Sequence, residues 1–242
     1  MPNLSDYDAV LFDLDGVLTP TAEVHMYAWK TMFVELFADW NIEPEYTDRD
    51  YFEYLDGKKR YDGVASLLQS RSVEVPWGDP SDHPSADTVC GIGNRKNEVF
   101  ARILRSEGIA PYPGSVALLD ALAVAGTPVA VVSSSKNAEE VLAAAGIRDR
   151  FPVVMDGVIA ERDNLASKPA RAVLVEAARV VGVDAARRAA GGDALSGVRS
   201  AVAGGFGLVV GVDRGTGAED LASAGAHLVV ADLDVLVAPV AG

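Results

Sequence analysis

The chain has 242 residues, of which 49% are hydrophobic, and its formal net charge of −14 at pH 7 is strongly acidic. It can bury a core in one large domain or two unequal ones, and its acidity argues against nucleic acids and anionic membranes as partners. No charged leader precedes an apolar segment and no run of ~18 apolar residues occurs, so we expect a cytoplasmic, globular protein. The single Cys90 can form no internal disulfide, which fits that compartment. We also expect a monomer.

Short apolar runs alternate with longer helical segments along most of the chain. The first run, "YDAVLFD", begins at Tyr7. Four similar runs follow: "PVAVVSSS" from Pro128, "FPVVMDG" from Phe151, "GLVVGVD" from Gly207 and "AHLVVAD" from Ala226. A weaker candidate strand is "RRAAGG" from Arg187. This alternation predicts the α/β class, with a Rossmann-like, doubly wound parallel sheet covered by helices.

Residues 20–110 have a different pattern, without alternating strands and helices. Large apolar side chains recur there at helical spacing, at Trp29, Phe33, Leu36 and Trp40. Such a stripe is typical of a helix that packs against its neighbours. We therefore predict an α/β core domain formed by residues 1–19 and 111–242, with a helical domain, residues 20–110, inserted after the first strand.

Polar side chains stand where several predicted strands end. Asp13 and Asp15 follow the first strand, Ser133 to Ser135 end the second, Lys168 follows the third after a loop, and Asp193 follows "RRAAGG". The carboxyl ends of parallel strands meet at one edge of the sheet, where ligands bind. Carboxylates suit a hard cation, whereas lysine and hydroxyl groups suit phosphoryl oxygens. Together these positions predict a phosphate and Mg²⁺ site.

Four short motifs resemble those of the haloacid dehalogenase superfamily. They are "DLDGVLT", the hydroxyl of "VVSSSKN", the lysine of "SKPA" and the acid of "GGDALSGV". Within that superfamily, "DLDGVLTPTAEVHMYAWK" resembles the β-phosphoglucomutase branch, which has a helical cap between the first and second motifs. "DGKKRYDGV" and "GNRKNE", inside residues 20–110, support this resemblance. It implies an α/β core with a helical cap domain.

The resemblance implies a role for each motif residue. Asp13 would be the nucleophile that forms an aspartyl phosphate, because a carboxylate needs no base to activate it. Asp15 would be the general acid and base for the sugar hydroxyl. Ser133 and Lys168 would hold phosphoryl oxygens in the transition state. Asp13, Asp15 and Asp193 would bind Mg²⁺, with Asp15 contributing its backbone carbonyl.

Further substrate-binding residues are implied by the same resemblance. In the cap, Arg60 and Lys96 would bind the distal phosphate of a sugar phosphate. Thr21 and His25 would stand at the hinge, where His25 links cap closure to the acid/base; a polar residue on a helix is the ordinary alternative for this histidine. Additional contacts are expected after the second strand, at Ser134, Ser135, Lys136 and Asn137. An ordinary helix N-terminus explains that last segment equally well.

Three positions depart from the family pattern. Gly192 stands where an acid usually precedes the metal-binding aspartate, Ala172 stands where an aspartate usually follows the lysine motif, and Pro20 replaces the usual acid before the hinge. Three functions are therefore open: a Mg²⁺-dependent β-phosphoglucomutase-like enzyme, a sugar or small-metabolite phosphatase, and a non-catalytic binding protein. The cap cations favour the mutase, and Gly192 and Ala172 favour the binding protein. With one acid missing, we expect weak Mg²⁺ binding that Gly192→Glu tightens.

Overall fold

The computed structural model describes residues 2–55, 58–166 and 168–237. The chain divides into two compact units. The first unit comprises Met1–Thr21 and Ile109–Gly242, and the second unit comprises Ala22–Gly108. Within the described part of the chain, no helix is long and apolar enough to cross a membrane.

A six-stranded sheet, parallel throughout, forms the centre of the first unit. Its strands are β1 (Ala9–Phe12), β2 (Val129–Val132), β3 (Val153–Met155), β4 (Arg188–Gly192), β5 (Leu208–Val212) and β6 (Leu228–Val230). Their order across the sheet is β3-β2-β1-β4-β5-β6, so the chain winds outward on both sides of β1. The doubly wound parallel sheet is confirmed, and each strand predicted from the sequence forms. Ligands of such sheets bind where the winding reverses, beside β1 and β4.

The strands are buried because helices cover both faces of the sheet. All residues of β1 and β5 are buried, which explains their continuous apolar runs. β4 has the sequence "RAAGG", which has little intrinsic preference for a strand. It forms because it pairs on both sides: Arg188 lies opposite Ala9 of β1, and Ala189 lies opposite Leu208 of β5.

The second unit is helical. Its helices are α1 (Thr21–Trp40, which begins on the last residue of the first unit), α2 (Asp48–Asp50), a π-helical turn (Tyr51–Leu55), α3 (Arg60–Ser70) and α4 (Val89–Glu107). Most of the predicted stripe packs as expected: the ring of Phe33 stacks on Trp29 and on Tyr46, with centroids 5.6 and 5.8 Å apart, and Leu36 is buried. Trp40, at the end of α1, is only partly buried. A buried ion pair joins Arg71 and Asp50 over 2.7 Å.

Helices of the first unit connect the strands. They are α5 (Pro113–Ala125), α6 (Ala138–Ala144), α7 (Gly157–Arg162), α8 (Ala172–Val181), α9 (Leu195–Ala203) and α10 (Ala218–Ser223), with 3₁₀ turns at Leu4–Asp6, Arg148–Arg150, Ala185–Arg187 and Leu233–Leu236. Only a loop was predicted between β3 and Lys168, and this was wrong. α7 forms there because the side chain of Asp156 accepts hydrogen bonds from the N–H groups of Val158 and Ile159 at its start.

Candidate functional site

The turn after β1 places two aspartates at the carboxyl edge of the sheet. The N–H of Asp13 donates to the carbonyl of Gly191 over 2.9 Å, which continues the pairing with β4. The turn then closes through a bond of 2.8 Å from the N–H of Gly16 to the carbonyl of Thr19. Gly16 has a φ of +73°, and a Cβ at this position would overlap the carboxylate of Asp193. Glycine therefore permits the close approach of Asp193 to the turn.

Lys168 reaches the first aspartate from the segment after α7. Its Nζ donates to Asp13 Oδ2 over 2.6 Å and to the carbonyl of Val132, at the end of β2, over 2.7 Å. The side chains of Lys168 and Asp13 are only 7% and 13% exposed. Asp13 Oδ1 accepts from the N–H of Leu14 over 2.9 Å, so each carboxylate oxygen has a donor. The carboxylate is thereby held in one orientation beside a buried cation.

Hydroxyl groups surround the second aspartate. Thr21 Oγ1 donates to Asp15 Oδ1, and Ser133 Oγ lies 3.4 Å from Asp15 Oδ2. Thr19 Oγ1 lies 2.9 Å from Thr21 Oγ1 and extends this chain of hydroxyls. Thr19, Thr21 and Ser133 are almost fully buried. The structure thus brings the predicted residues Asp15, Thr21 and Ser133 together.

Asp193 lies at the end of β4 in a strongly negative environment. Burial and the neighbouring carboxylates of Asp13 and Asp15 raise the pKa of Asp193 to about 8. Among the described residues, no group of three or more His, Cys, Asp and Glu is arranged to hold a metal ion; the Asp15 carboxylate is directed at Thr21 and Ser133 instead. The carboxylates of Asp13 and Asp193, with backbone carbonyls, are nevertheless the oxygen donors that Mg²⁺ prefers. A divalent cation would relieve the repulsion that raises the pKa of Asp193, so this donor set fits Mg²⁺.

The segment after β2 is built as the start of a helix. The N–H of Ser135 donates to Ser133 Oγ over 3.0 Å, and the N–H of Asn137 donates to Ser135 Oγ over 3.1 Å. α6 begins at the next residue, and Lys136 forms an exposed ion pair with Glu161 of α7 over 2.5 Å. Ser134 is exposed. Residues 135–137 therefore lead into the N-terminus of α6, as the alternative to substrate contacts describes.

The second unit holds a separate cluster of predicted residues. Lys96 is only 3% exposed, and its Nζ lies 2.6 Å from Nδ1 of His25. The same Nζ lies 5.0 Å from the ring centroids of Trp29 and Phe100, and the ring of His25 stacks on Phe100. A buried ammonium is thus held by two aromatic faces and one imidazole.

The charge state of His25 follows from this cluster. Burial, together with the positive charges of Lys96 and Arg60, holds the pKa of His25 well below its ordinary value. His25 is therefore neutral at pH 7, and it accepts from Lys96 at Nδ1, which assigns its own proton to Nε2. Arg60 Nη2 donates to Asn97 Oδ1 over 2.7 Å. His25, Lys96 and Arg60 are close enough to interact electrostatically, whereas the sequence did not indicate Asn97.

Sequence reasoning also missed side chains in the first unit. Thr19 extends the hydroxyl chain to Asp15, and Arg214 and Thr216 contact the segments that carry Gly16 and Asp193. A signal for the last two was present, because "DRGTG" follows β5 directly and so stands at the same edge of the sheet.

Comparison with known proteins gives the family and the fold of the chain. The model of the haloacid dehalogenase-like hydrolase family matches residues 7–205. The chain is 45% identical over 240 residues to β-phosphoglucomutase from Mycobacterium bovis, covering 95% of this chain and 91% of the relative. It superposes with a TM-score of 0.71 on a CbbY variant from Rhodobacter sphaeroides in complex with xylulose-(1,5)bisphosphate, at 26% identity over 94% of this chain and 95% of the other. For β-phosphoglucomutase from Clostridium difficile, the TM-score is 0.75 at 24% identity, covering 95% and 93%, which shows the shared fold.

Proposed function

Because the chain belongs to the haloacid dehalogenase-like hydrolase family, as an enzyme of phosphomutase or phosphatase type, we propose that it transfers a phosphoryl group of a sugar phosphate through an aspartyl phosphate on Asp13. The preferred reaction is the β-phosphoglucomutase-like interconversion of sugar 1- and 6-phosphates. One observation carries the proposal above all others: Asp13 is oriented by Lys168 at 2.6 Å, at the sheet edge that also holds Asp15 and Asp193.

The first half-reaction uses Asp13 and Asp15. An oxygen of Asp13 attacks phosphorus, the bond from phosphorus to the donor oxygen breaks, and that oxygen takes a proton from Asp15. In the second half, a sugar hydroxyl attacks the aspartyl phosphate and returns its proton to Asp15. The hydroxyl of Thr21 holds the Asp15 carboxylate in place for both transfers. Attack by water instead of a sugar hydroxyl gives the phosphatase, the second candidate, which the hydrolase family description favours.

Positive charge is required because the phosphoryl group is an anion. Lys168 and Ser133 would hold two of its oxygens as charge spreads over them. Asp13, Asp193 and the carbonyl of Asp15 would hold Mg²⁺, which neutralises phosphoryl charge when bound. These groups together offset the repulsion that the carboxylates exert on an incoming phosphate.

The cluster of the second unit would recognise the distal part of the substrate. Arg60, held by Asn97, has the planar fork of donors that suits a phosphate. Lys96 adds a second positive charge in a buried setting, and His25 fixes the position of that charge. A second phosphate group would explain why two cations are kept close together in an acidic chain.

Phosphorus NMR tests the proposal. The protein is incubated with Mg²⁺, β-glucose 1-phosphate and a trace of the 1,6-bisphosphate, and we expect glucose 6-phosphate to appear. Asp13→Asn should abolish the reaction, because an amide is a poor nucleophile. Asp8→Asn is the matched control, because Asp8 stands at the opposite end of β1 in an exposed ion pair with Arg187. Release of inorganic phosphate would identify the phosphatase, and an unchanged spectrum would contradict both reactions.

A further inference from the structure

A loop that the proposed mechanism does not use lies at the same edge of the sheet. The loop, Asp213–Gly217, follows β5 directly. It is closed on itself, because Asp213 Oδ1 accepts from the N–H groups of Gly215 and Gly217, both over 3.0 Å. Two of its side chains, those of Arg214 and Thr216, reach segments far away in the sequence. A loop stabilised from within can act as a fixed support for those segments.

Arg214 joins the turn after β1 to the end of β6. Its Nε donates to the carbonyl of Gly16 over 3.1 Å, and its Nη1 donates to the carbonyl of Ala231 over 2.8 Å. Its Nη2 pairs with Asp232 Oδ1 over 3.1 Å, and its Cζ lies 3.8 Å from the ring centroid of Tyr112. Because the guanidinium is planar and its donors have fixed directions, these four contacts together fix the position of the Gly16 carbonyl.

Thr216 reaches the other metal-binding segment. Its Oγ1 donates to the backbone carbonyl of Asp193 over 2.9 Å. Gly16 and Asp193 face each other so closely that a side chain on Gly16 would overlap the Asp193 carboxylate. The loop Asp213–Gly217 therefore holds both segments where they lie closest together: Arg214 binds the carbonyl of Gly16, and Thr216 binds the carbonyl of Asp193.

We infer that Arg214 and Thr216 are positioning residues that set the distance between the Asp13–Thr19 turn and Asp193, and through that distance the affinity for Mg²⁺. The inference rests on the proposed function for its metal. Mg²⁺ demands nearly ideal octahedral geometry, so a small displacement of one ligand weakens binding. Gly192 supplies no carboxylate next to Asp193, which makes the placement of the remaining ligands more important.

Calorimetry with Mg²⁺ and hydrogen exchange of the metal-free protein test this inference. Arg214→Met keeps an unbranched apolar side chain and removes the guanidinium with every donor, while Thr216→Val removes one hydroxyl at constant shape. Each should weaken Mg²⁺ binding roughly 10-fold or more, the usual effect of removing a group that orients a metal ligand. Thr216→Val should also accelerate amide exchange within residues 191–196, and Arg214→Met should do so within residues 13–19 and at residues 231–232, where its other donors bind. Neither variant should accelerate exchange elsewhere in the sheet. Thr216→Ser, which keeps the hydroxyl, should leave both the Mg²⁺ affinity and the local amide exchange as in the unmodified protein.

Arg187→Met is the matched control, because Arg187 forms an exposed ion pair with Asp8 at the opposite ends of β1 and β4. It should change neither Mg²⁺ affinity nor local exchange. Parent-like Mg²⁺ affinity and exchange in both Arg214→Met and Thr216→Val would overturn the inference, even if their thermal stability fell. If Arg214→Met does not fold, Thr216→Val decides. If the unmodified protein binds no Mg²⁺, the proposed function is contradicted. The local amide exchange rates of the variants would then decide alone whether Arg214 and Thr216 position the two segments.

Discussion

Replacing Gly192 by glutamate restores the acid that the family pattern places before Asp193. The backbone permits this change, because Gly192 is an extended strand residue outside the left-handed region. A Cβ there would meet its nearest described atoms, in Gly197 and Val198, at 3.7 Å, which is ordinary van der Waals contact. A small cavity of about 10 Å³ lies beside this position, lined in part by Asp13 and Lys168. The first carbon of the side chain therefore fits without rearrangement.

The electrostatics of the site give the direction of the effect. Burial, together with repulsion by the carboxylates of Asp13 and Asp15, raises the pKa of Asp193 to about 8, so a further negative charge here is unfavourable without a cation. A further carboxylate increases this repulsion in the metal-free protein and increases the attraction for a divalent cation. We expect Gly192→Glu to lower the metal-free melting temperature and to tighten Mg²⁺ binding about 10-fold, or ~1.4 kcal/mol.

Titration calorimetry and thermal unfolding, each with and without Mg²⁺, measure both effects. Gly192→Gln is the matched control, because glutamine has nearly the same shape as glutamate and no charge. If the glutamate variant binds Mg²⁺ no more tightly than the glutamine variant, added charge does not strengthen this site. The reasoning from the missing acid would then be refuted, and the site would have to be regarded as adapted to glycine.

Three more predictions concern single side chains. Asp15→Asn should slow transfer by roughly 10²–10⁴-fold with little change in Mg²⁺ affinity, as steady-state kinetics and calorimetry would measure. A higher KM with an unchanged kcat would contradict the acid/base role. Arg60→Ala should impair use of a sugar bisphosphate but spare hydrolysis of acetyl phosphate, which has no distal group; equal losses would exclude distal recognition. Burial raises the pKa of Asp50, but hydrogen bonds from Thr47 and Arg71 outweigh it and leave the pKa below 3.8. The stabilisation from ionised Asp50 is thus present above pH 3.8 and is lost as the pH falls through the lower pKa of the folded state. At pH 7, Asp50→Asn should lower the free energy of unfolding by about 3–5 kcal/mol, because it leaves Arg71 buried without its ion-pair partner. Acid unfolding, monitored by circular dichroism, should therefore begin at a higher pH in this variant.

The sequence predicted those parts of the fold that depend on apolar runs. The strands β1, β2 and β5 are rich in β-branched and other large apolar residues, and their buried positions follow directly from that composition. β4 gave only a weak signal, since alanine and glycine have little preference for a strand and its pairing with two neighbours decides its structure. α7 was missed because it has only six residues, too few for a helical period to stand out.

For the site, the sequence indicated side chains that end strands, because the parallel sheet brings those ends together. It could not indicate which distant backbone group such a side chain contacts. Arg214 and Gly16 are 198 residues apart, and nothing in the local pattern of either one predicts their hydrogen bond. Lys96 shows the same limit: the motif suggested a phosphate-binding cation, whereas its contact with His25 depends on a helix 71 residues away.

The placement of cations explains how so acidic a chain can attract an anionic substrate. Many arginines form exposed ion pairs with nearby acids, as Arg187 does with Asp8 and Arg179 with Glu176. Such pairs cancel locally and are weakened by salt. Lys168, by contrast, is almost fully buried, and its contacts are with the proposed nucleophile and a strand carbonyl. Because water screens a buried charge much less than an exposed one, Lys168 acts on a phosphate bound next to it more strongly than the distant acids that contribute to the net charge of −14. Together with the proposed Mg²⁺, it offsets the carboxylates at the same edge of the sheet.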